Sequence, residues 1–585
     1  MSRLAGIGGW RVGVVMMLLA SSTLALVARL ANLQIMQHDQ YAAQARSEHW
    51  SRDKVPAHRG AIRDRNGYAL AITATTYDLY LKPKVSGPVT AANTAKALAP
   101  LIDVPPEKIM ATLTGEDKGK ALVAANISYA TGEKIRSMGL PGVEAVEKVR
   151  RFYPEGNLGS TLMGFVGKDG NGLTGAEESL DGDLAGIAGL LVYERDSTGE
   201  PIPLGINSLT PPEAGADVYL TIDRYIQRLA ERELDKAMEK HKASGGTIIV
   251  MDPKTGELLA MASRPAFDLT KIETDLAQLN PKDSKQVALF RNRAVADVYE
   301  PGSTFKIITM ASAVNEGLVN ANTTYYDGGP VNKYGWNIDT WNGKHFGQET
   351  MTQLLQHSNN VGAVWVSDRL GTDRFYKYVR LFGFGQATNV GLAGEGRGQV
   401  RYPTEAGWYP VDLAVNSFGQ GISVTPLQMI TAASAVANGG SLMQPYVVKR
   451  IEGPRGTRSF SPVPVRRVVS EATSRTLREM LTKVAEGENT VLPLAAVPGY
   501  KVAGKTGTAS IPGPGGYTSA ATIASFIGFG PSDNPRFIIL VKIDEPQDSP
   551  WGSLVASPIF SSIAKQTFAY LQIPPTDTAL ALANR

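Results

Sequence analysis

A serine and a lysine one helical turn apart carry the first sign of chemistry. In Tyr299-Glu300-Pro301-Gly302-Ser303-Thr304-Phe305-Lys306, Pro301 and Gly302 break the preceding chain. Ile307, Ile308, Ala311 and Val314 then recur at helical spacing, so Ser303 stands at or near a helix start. Residues three apart on a helix are surface neighbours, which lets the Lys306 amine approach the Ser303 hydroxyl. A serine is a weak nucleophile without a base in hydrogen-bond reach, and lysine is such a base only when burial or a nearby cation depresses its pKa. The N–H groups of the same turn would favour developing negative charge. Two later stretches offer matching groups. Ser358-Asn359-Asn360 separates two helical runs, Met351 to His357 and Val361 to Leu370. There Ser358 can relay a proton, and the Asn360 amide can hold a substrate amide. Lys505-Thr506-Gly507-Thr508 follows the strand-like Tyr500 to Ala503. Lys505 offers a positive charge, Thr506 and Thr508 offer hydroxyls to a carboxylate, and Gly507 would let a ligand backbone come close to a strand edge. Each stretch alone has a plainer reading, as a capped helix, a capping pair or an ordinary edge strand.

The elements that must position these groups are legible around them. Asp223 caps a predicted helix reaching about His241. Thr247 to Asp252 and Glu257 to Ala262 flank Pro253-Lys254-Thr255-Gly256 and read as a β-hairpin. Ala524 to Phe529 and Phe537 to Ile543 read as two more strands, followed by a helix from about Ala556 to Leu571. Strands at both ends with helices between them predict an α+β domain whose antiparallel sheet is closed by the two ends of the segment. Gly499 to Thr506 spells the phosphate-loop pattern, but that motif needs a helix directly afterwards, and Gly507 to Gly516 is too rich in glycine and proline to be one. A Ser-His-Asp hydrolase is disfavoured as well: no histidine lies in a G-x-S-x-G context, and His357 reads as a helix-end residue.

Ahead of this region, Leu30 to Trp50 reads as an amphipathic helix, with a tight turn at Asn66-Gly67 between two short strand-like runs. The charges of Arg63, Asp64 and Arg65 are expected to pair locally. Val89 to Ser137 reads as short helices and loops, and two turn-rich stretches, Arg150 to Gly156 and Asp169 to Glu177, as structural. Asp196 to Ala216, rich in proline and glycine, marks a boundary.

The chain has 585 residues, a net charge of +4 and no cysteine. Disulfides, thiolate metal sites and cysteine nucleophiles are thereby excluded, and the charge makes no case for nucleic-acid binding. Val12 to Ala28 is an apolar run of ~26 Å as a helix, brought to membrane length by Trp10 and a snorkelling Arg29. No small-residue cleavage pattern follows it, so an uncleaved anchor is preferred to a signal peptide. Arg3 and Arg11 before it and Arg29 and Arg46 after it nearly balance, with the short N-terminal tail as the expected cytoplasmic side.

S-x-x-K, S-x-N and K-T-G, in that order, form the signature of the penicillin-recognising serine enzymes. The chain resembles the class B penicillin-binding proteins, of the FtsI/SpoVD-like division or sporulation type. The resemblance extends to Arg59-Gly60 through Gly67, Arg151-Phe152-Tyr153-Pro154, Gly419 to Pro426 and Ala524 to Phe529. It implies a cytoplasmic tail (1–11), a transmembrane anchor (12–31), an elongated pedestal (32–205), a transpeptidase domain with an antiparallel sheet flanked by helices (206–573) and a C-terminal tail (574–585). It implies that Ser303 attacks a D-Ala-D-Ala stem peptide, lipid-linked or on nascent glycan, with Lys306 as base. Ser358 then relays the proton and Asn360 positions substrate. Lys505, Thr506, Gly507 and Thr508 bind the terminal carboxylate, and the N–H groups of Ser303 and Thr508 form the oxyanion hole. It implies no cofactor and no metal. The implied partners are β-lactams, a SEDS-family glycan polymerase, divisome proteins and the membrane, with the catalytic body outside the cytoplasm. An elongation-type transpeptidase, a D,D-carboxypeptidase, a β-lactamase and a penicillin-binding sensor share the same acylation chemistry and stay open.

Overall fold

The structure, a computed structural model, describes residues 9–41, 50–83, 87–115, 119–196, 202, 207–486, 493–513 and 516–576. Arg3, Arg46, the boundary expected at 205/206 and the tail beyond 576 lie outside them. Two compact units divide the chain. The first holds the apolar helix Gly9–Ala31, continued by the turn Asn32–Met36. Residues Trp10–Met36 make the one run among the described residues long and apolar enough to cross a membrane. The same unit holds a three-stranded antiparallel sheet with Gly189–Glu194 between Trp50–Val55 and Asn207–Thr210. Trp50, expected at the end of an amphipathic helix, is therefore the first residue of a strand.

The second unit comprises residues 59–185 and 215–585. Its N-terminal part departs most from the sequence reading. Ala69–Leu81 is a single long strand, paired with Ala121–Ser128 on one side and Val143–Phe152 on the other. The expected helices Pro88–Ile102, Pro106–Thr114 and Tyr129–Ser137 are present. They enclose a core of Tyr77, Leu79, Leu98, Ile109, Leu113 and Ile135. The strands escaped the periodicity argument because neither has one face buried and the other exposed: Ala121–Ser128 alternates poorly, and Val143–Phe152 is half-buried along most of its length. Ile62–Arg63 pairs in parallel with Asp217–Leu220, which joins this part to the C-terminal part in one sheet.

The charges of Arg63, Asp64 and Arg65 do not pair locally. Arg63 reaches Asp217 (3.0 Å) and Arg65 reaches Glu257 (3.0 Å). Asp64 instead accepts backbone N–H bonds from Asn66, Tyr68 and Arg224. A second knot, buried around Glu177, joins the two turn-rich stretches. Glu177 accepts from Arg59 Nε and Arg151 Nε, both at 2.7 Å, while Arg59 also reaches Asp181 (2.6 Å). Glu177→Ala would leave the buried Arg151 guanidinium without its carboxylate and Arg59 with Asp181 alone, and is expected to cost about 3–5 kcal/mol, read as a lowered denaturant midpoint.

The C-terminal part is built on one antiparallel sheet, as expected, and that sheet has five strands. Its order is Leu258–Arg264, Gly245–Met251, Phe537–Asp544, Gly516–Gly530, Ala503–Gly513. All residues of Gly245–Met251 and Phe537–Asp544 are buried, so helices cover both faces. One layer is Arg224–His241, capped by Asp223 through Tyr225 and Ile226 N–H, together with Gly552–Tyr570. The other packs through Pro426–Ala437, a helix buried at every position and started by a Thr425/Gln428 capping box.

Candidate active site

The nucleophile module is short-range. Gly302–Phe305 forms a 3₁₀ turn that runs directly into the helix Lys306–Asn315. In a 3₁₀ turn, residues three apart eclipse, so Ser303 Oγ and Lys306 Nζ meet at 2.9 Å. The turn is seated by two close backbone approaches. Gly302 has φ +55° and donates its N–H to Gly419 O (3.0 Å), and a side chain on Gly302 would meet Thr508 O at 2.8 Å. Glu300 ties the same turn to Gly421 N–H (2.9 Å) and to the Tyr517 hydroxyl (3.1 Å).

The other two motifs close on this pair. Met351–His357 and Asn360–Leu370 are helices, as expected, and Ser358 between them is left-handed at φ 55°. The Ser358 carbonyl lies 2.6 Å from Lys306 Nζ, its hydroxyl 3.3 Å, and Asn360 Oδ1 2.7 Å. Lys306 is 1% exposed, and burial together with the charge of Lys505 holds its amine well below the usual lysine range. A neutral amine has two N–H groups and one lone pair. The Ser358 carbonyl and Asn360 Oδ1 take the two N–H groups, and the lone pair is left for the Ser303 O–H. Asn360 also donates to Asp339 O (3.0 Å), so the amide expected to hold substrate already spans the lysine and a loop carbonyl.

Ala503–Gly513 is the edge strand and not a helix, which leaves the phosphate-loop spelling without its required structure. Successive strand residues face opposite ways. Lys505 and Gly507 share one face, and Thr506 and Thr508, both half-buried, share the other. A side chain on Gly507 would meet Ser525 Oγ at 2.5 Å and Pro301 O at 2.9 Å. Glycine there seats the strand on the nucleophile turn; its bare side faces protein and not the ligand backbone expected from the sequence. Lys505 is 1% exposed, its amine bonded among the described residues to Thr506 O (3.3 Å) and Thr506 Oγ1 (3.4 Å), and burial pushes it down to about 7. An ammonium so poorly solvated gains strongly from an incoming carboxylate.

All the groups singled out from the sequence are thus brought together, around a lysine that touches three of them. The groups that escaped notice are Glu300, Tyr517, Asp327 and Glu349. Each acts through partners distant in the chain, and none lies in a local pattern that could have flagged it.

The chain is similar to known proteins in sequence and fold. The model of the penicillin binding protein transpeptidase domain matches residues 246–565, and that of the penicillin-binding protein dimerisation domain matches residues 54–220. Stage V sporulation protein D of Bacillus subtilis is 36% identical over 557 residues, covering 94% of this chain and 83% of that protein. Peptidoglycan D,D-transpeptidase FtsI of Escherichia coli is 31% identical over 575 residues, covering 97% and 92%. The crystal structure of penicillin binding protein 3 from Mycobacterium tuberculosis complexed with aztreonam superposes with a TM-score of 0.68 at 29% identity, over 89% of this chain and 98% of that one.

Proposed function

The chain belongs to the penicillin-binding protein transpeptidases, and on that premise we propose that it cross-links peptidoglycan stem peptides through an acyl-enzyme on Ser303. The observation that carries this reading is the meeting of Ser303 Oγ, Ser358 and Asn360 on one buried, readily neutral amine, Lys306.

Ser303 Oγ attacks the carbonyl carbon between the two D-Ala residues of a donor peptide, and its proton passes to Lys306 Nζ. The N–H groups of Ser303 and Thr508 receive the developing oxyanion. Lys505 and the Thr506 and Thr508 hydroxyls hold the terminal carboxylate. Collapse breaks the C–N bond, and the leaving D-Ala nitrogen takes a proton relayed from Lys306 through the Ser358 hydroxyl. The amine of a second stem peptide then attacks the Ser303 ester. Its proton returns by the same relay to Ser303 Oγ, and the new amide is the cross-link. A β-lactam carries an acylating carbonyl and an anionic group beside it, a carboxylate in penicillins and a sulfonate in aztreonam, so it enters the same path; aztreonam bound to the Mycobacterium tuberculosis relative supports this.

Residues 12–31 anchor the protein by a single pass, the pedestal runs to about residue 205, and the catalytic body (206–573) works outside the cytoplasm. A septal role fits the similarity to the sporulation and FtsI relatives, and the family resemblance implies a SEDS-family polymerase and divisome proteins as partners. The deciding experiment incubates the full chain with donor and acceptor stem peptides. Cross-linked product supports the reading, released D-Ala alone makes the protein a hydrolase, and a stable adduct without product makes it a sensor.

The acylation rate should trace a bell against pH. A proton on Lys306 removes the base, so the rate falls on the acid side. Lys505 loses its charge as pH rises through about 7, so the second-order rate for a carboxylate-bearing β-lactam falls on the alkaline side. Lys505→Ala should weaken binding and flatten the alkaline limb; stopped-flow acylation from about pH 5 to about pH 9 checks both.

A further inference from the structure

Behind the Ser358 loop lie two buried carboxylates, Asp327 and Glu349, and both touch Asn359. Asn359 Nδ2 lies 2.7 Å from Asp327 Oδ2 and 2.9 Å from Glu349 Oε2. Asn359 Oδ1 accepts the Gly362 N–H (3.1 Å) as cap of the following helix. The amide is fully buried and every part of it is bonded. Glu349 is also bound by the Tyr325 hydroxyl (2.5 Å) at Oε2 and by His357 Nδ1 at Oε1. Asp327 is bound by Phe346 N–H (3.1 Å) and His345 Nδ1 (3.3 Å). The His357 ring stacks on Phe346 at 4.0 Å, and Trp341 Nε1 donates to the His357 carbonyl (3.0 Å).

One carboxylate therefore holds the residues on both sides of Ser358: His357 through Oε1 and Asn359 through Oε2. Ser358 itself is left-handed, a conformation that costs a non-glycine residue energy and persists only where its surroundings enforce it. In that conformation its carbonyl and hydroxyl both reach Lys306.

We propose that Glu349 is a positioning residue for acylation, bracketing Ser358 through His357 and Asn359 and so holding the acceptors that aim Lys306 at Ser303. The proposal rests on the reading that Ser303 is acylated. It also accounts for an amide at the centre of Ser358-Asn359-Asn360. A carboxylate in place of that amide could still cap the helix, but it would be the third one in contact with two that are already buried.

The test is stopped-flow acylation of the full chain by a fluorescent penicillin, resolved into a dissociation constant and a rate constant, with circular-dichroism melting as control. Glu349→Gln keeps the volume and loses one acceptor; it should lower the rate constant about tenfold with little change in the dissociation constant. Asn359→Asp should lower it about a hundredfold. The double variant N359D/E349Q returns the cluster to two carboxylates, with the amide introduced at position 349 donating to the carboxylate introduced at position 359, and should recover about tenfold over N359D. Single variants that melt normally and acylate at the wild-type rate would overturn the proposal, as would a double variant no faster than N359D. Should N359D fail to fold, His357→Gln at the partly exposed end of the bracket carries the test: a loss of about fivefold is expected, and an unchanged rate overturns it. Absence of any Ser303 adduct on the wild-type protein would overturn the acylation reading and this inference together. A normal wild-type adduct with unaffected variants would overturn this inference alone.

Discussion

Ser303→Ala is expected to leave a folded protein that takes up no penicillin. Intact-mass measurement after benzylpenicillin should show the wild-type chain fully shifted by one ligand, with peptide mapping placing the adduct on residue 303, and the variant unshifted. Removing the nucleophile of a covalent mechanism takes away the acyl-enzyme itself, so the loss is on the order of 10⁴–10⁶ in acylation rate. The fold should not follow. The Ser303 side chain is half-buried, and the hydrogen bond described for it is the one with Lys306. The backbone seat of the turn, Gly302 against Gly419 and Thr508, is untouched. Thermal stability should therefore change by less than about 1 kcal/mol. An adduct on any other residue would remove Ser303 from the mechanism.

Lys306 is the second large effect, and here the choice of replacement decides what is measured. Alanine and methionine would both remove the base and leave the Ser358 carbonyl and Asn360 Oδ1 without their donor, at about 1–3 kcal/mol for each buried group, and alanine would open a cavity as well. Methionine fills most of the volume and isolates the loss of the amine. For Lys306→Met the acylation rate constant should fall by about 10³-fold, within the usual range for a positioned general base, while the dissociation constant of the initial complex stays within a few-fold. Lys306→Ala should show the same kinetic loss plus a lower melting temperature. Unchanged acylation in the methionine variant would show that another group takes the proton.

Several things were decided by the sequence alone, because their causes are local. A Pro-Gly break ahead of a helical stripe dictates a turn running into a helix, and three-residue spacing within it makes Ser303 and Lys306 neighbours wherever that helix packs. Glycines and prolines after Thr506 exclude the helix that a phosphate loop needs. The hairpin, the flanking helices and the single antiparallel sheet follow from periodicity and chain order. What those letters could not decide is the state of the lysine. Its amine is held readily neutral because burial withholds the water that would keep it charged and because Ser358, Asn360 and Lys505, 52, 54 and 199 positions further along the chain, enclose it. Likewise Gly507 looked like room for ligand, but the space is filled by Pro301 and Ser525. Arg63 and Arg65 looked like local partners but bond to Asp217 and Glu257. Glu349 had no visible role until folding placed it across Asn359 and His357. Hydrogen bonds, burial and ion pairing between distant segments leave no period or spacing in the chain, so the tertiary structure alone decides which charges are stranded, which are paired, and which amine is left free to accept a proton.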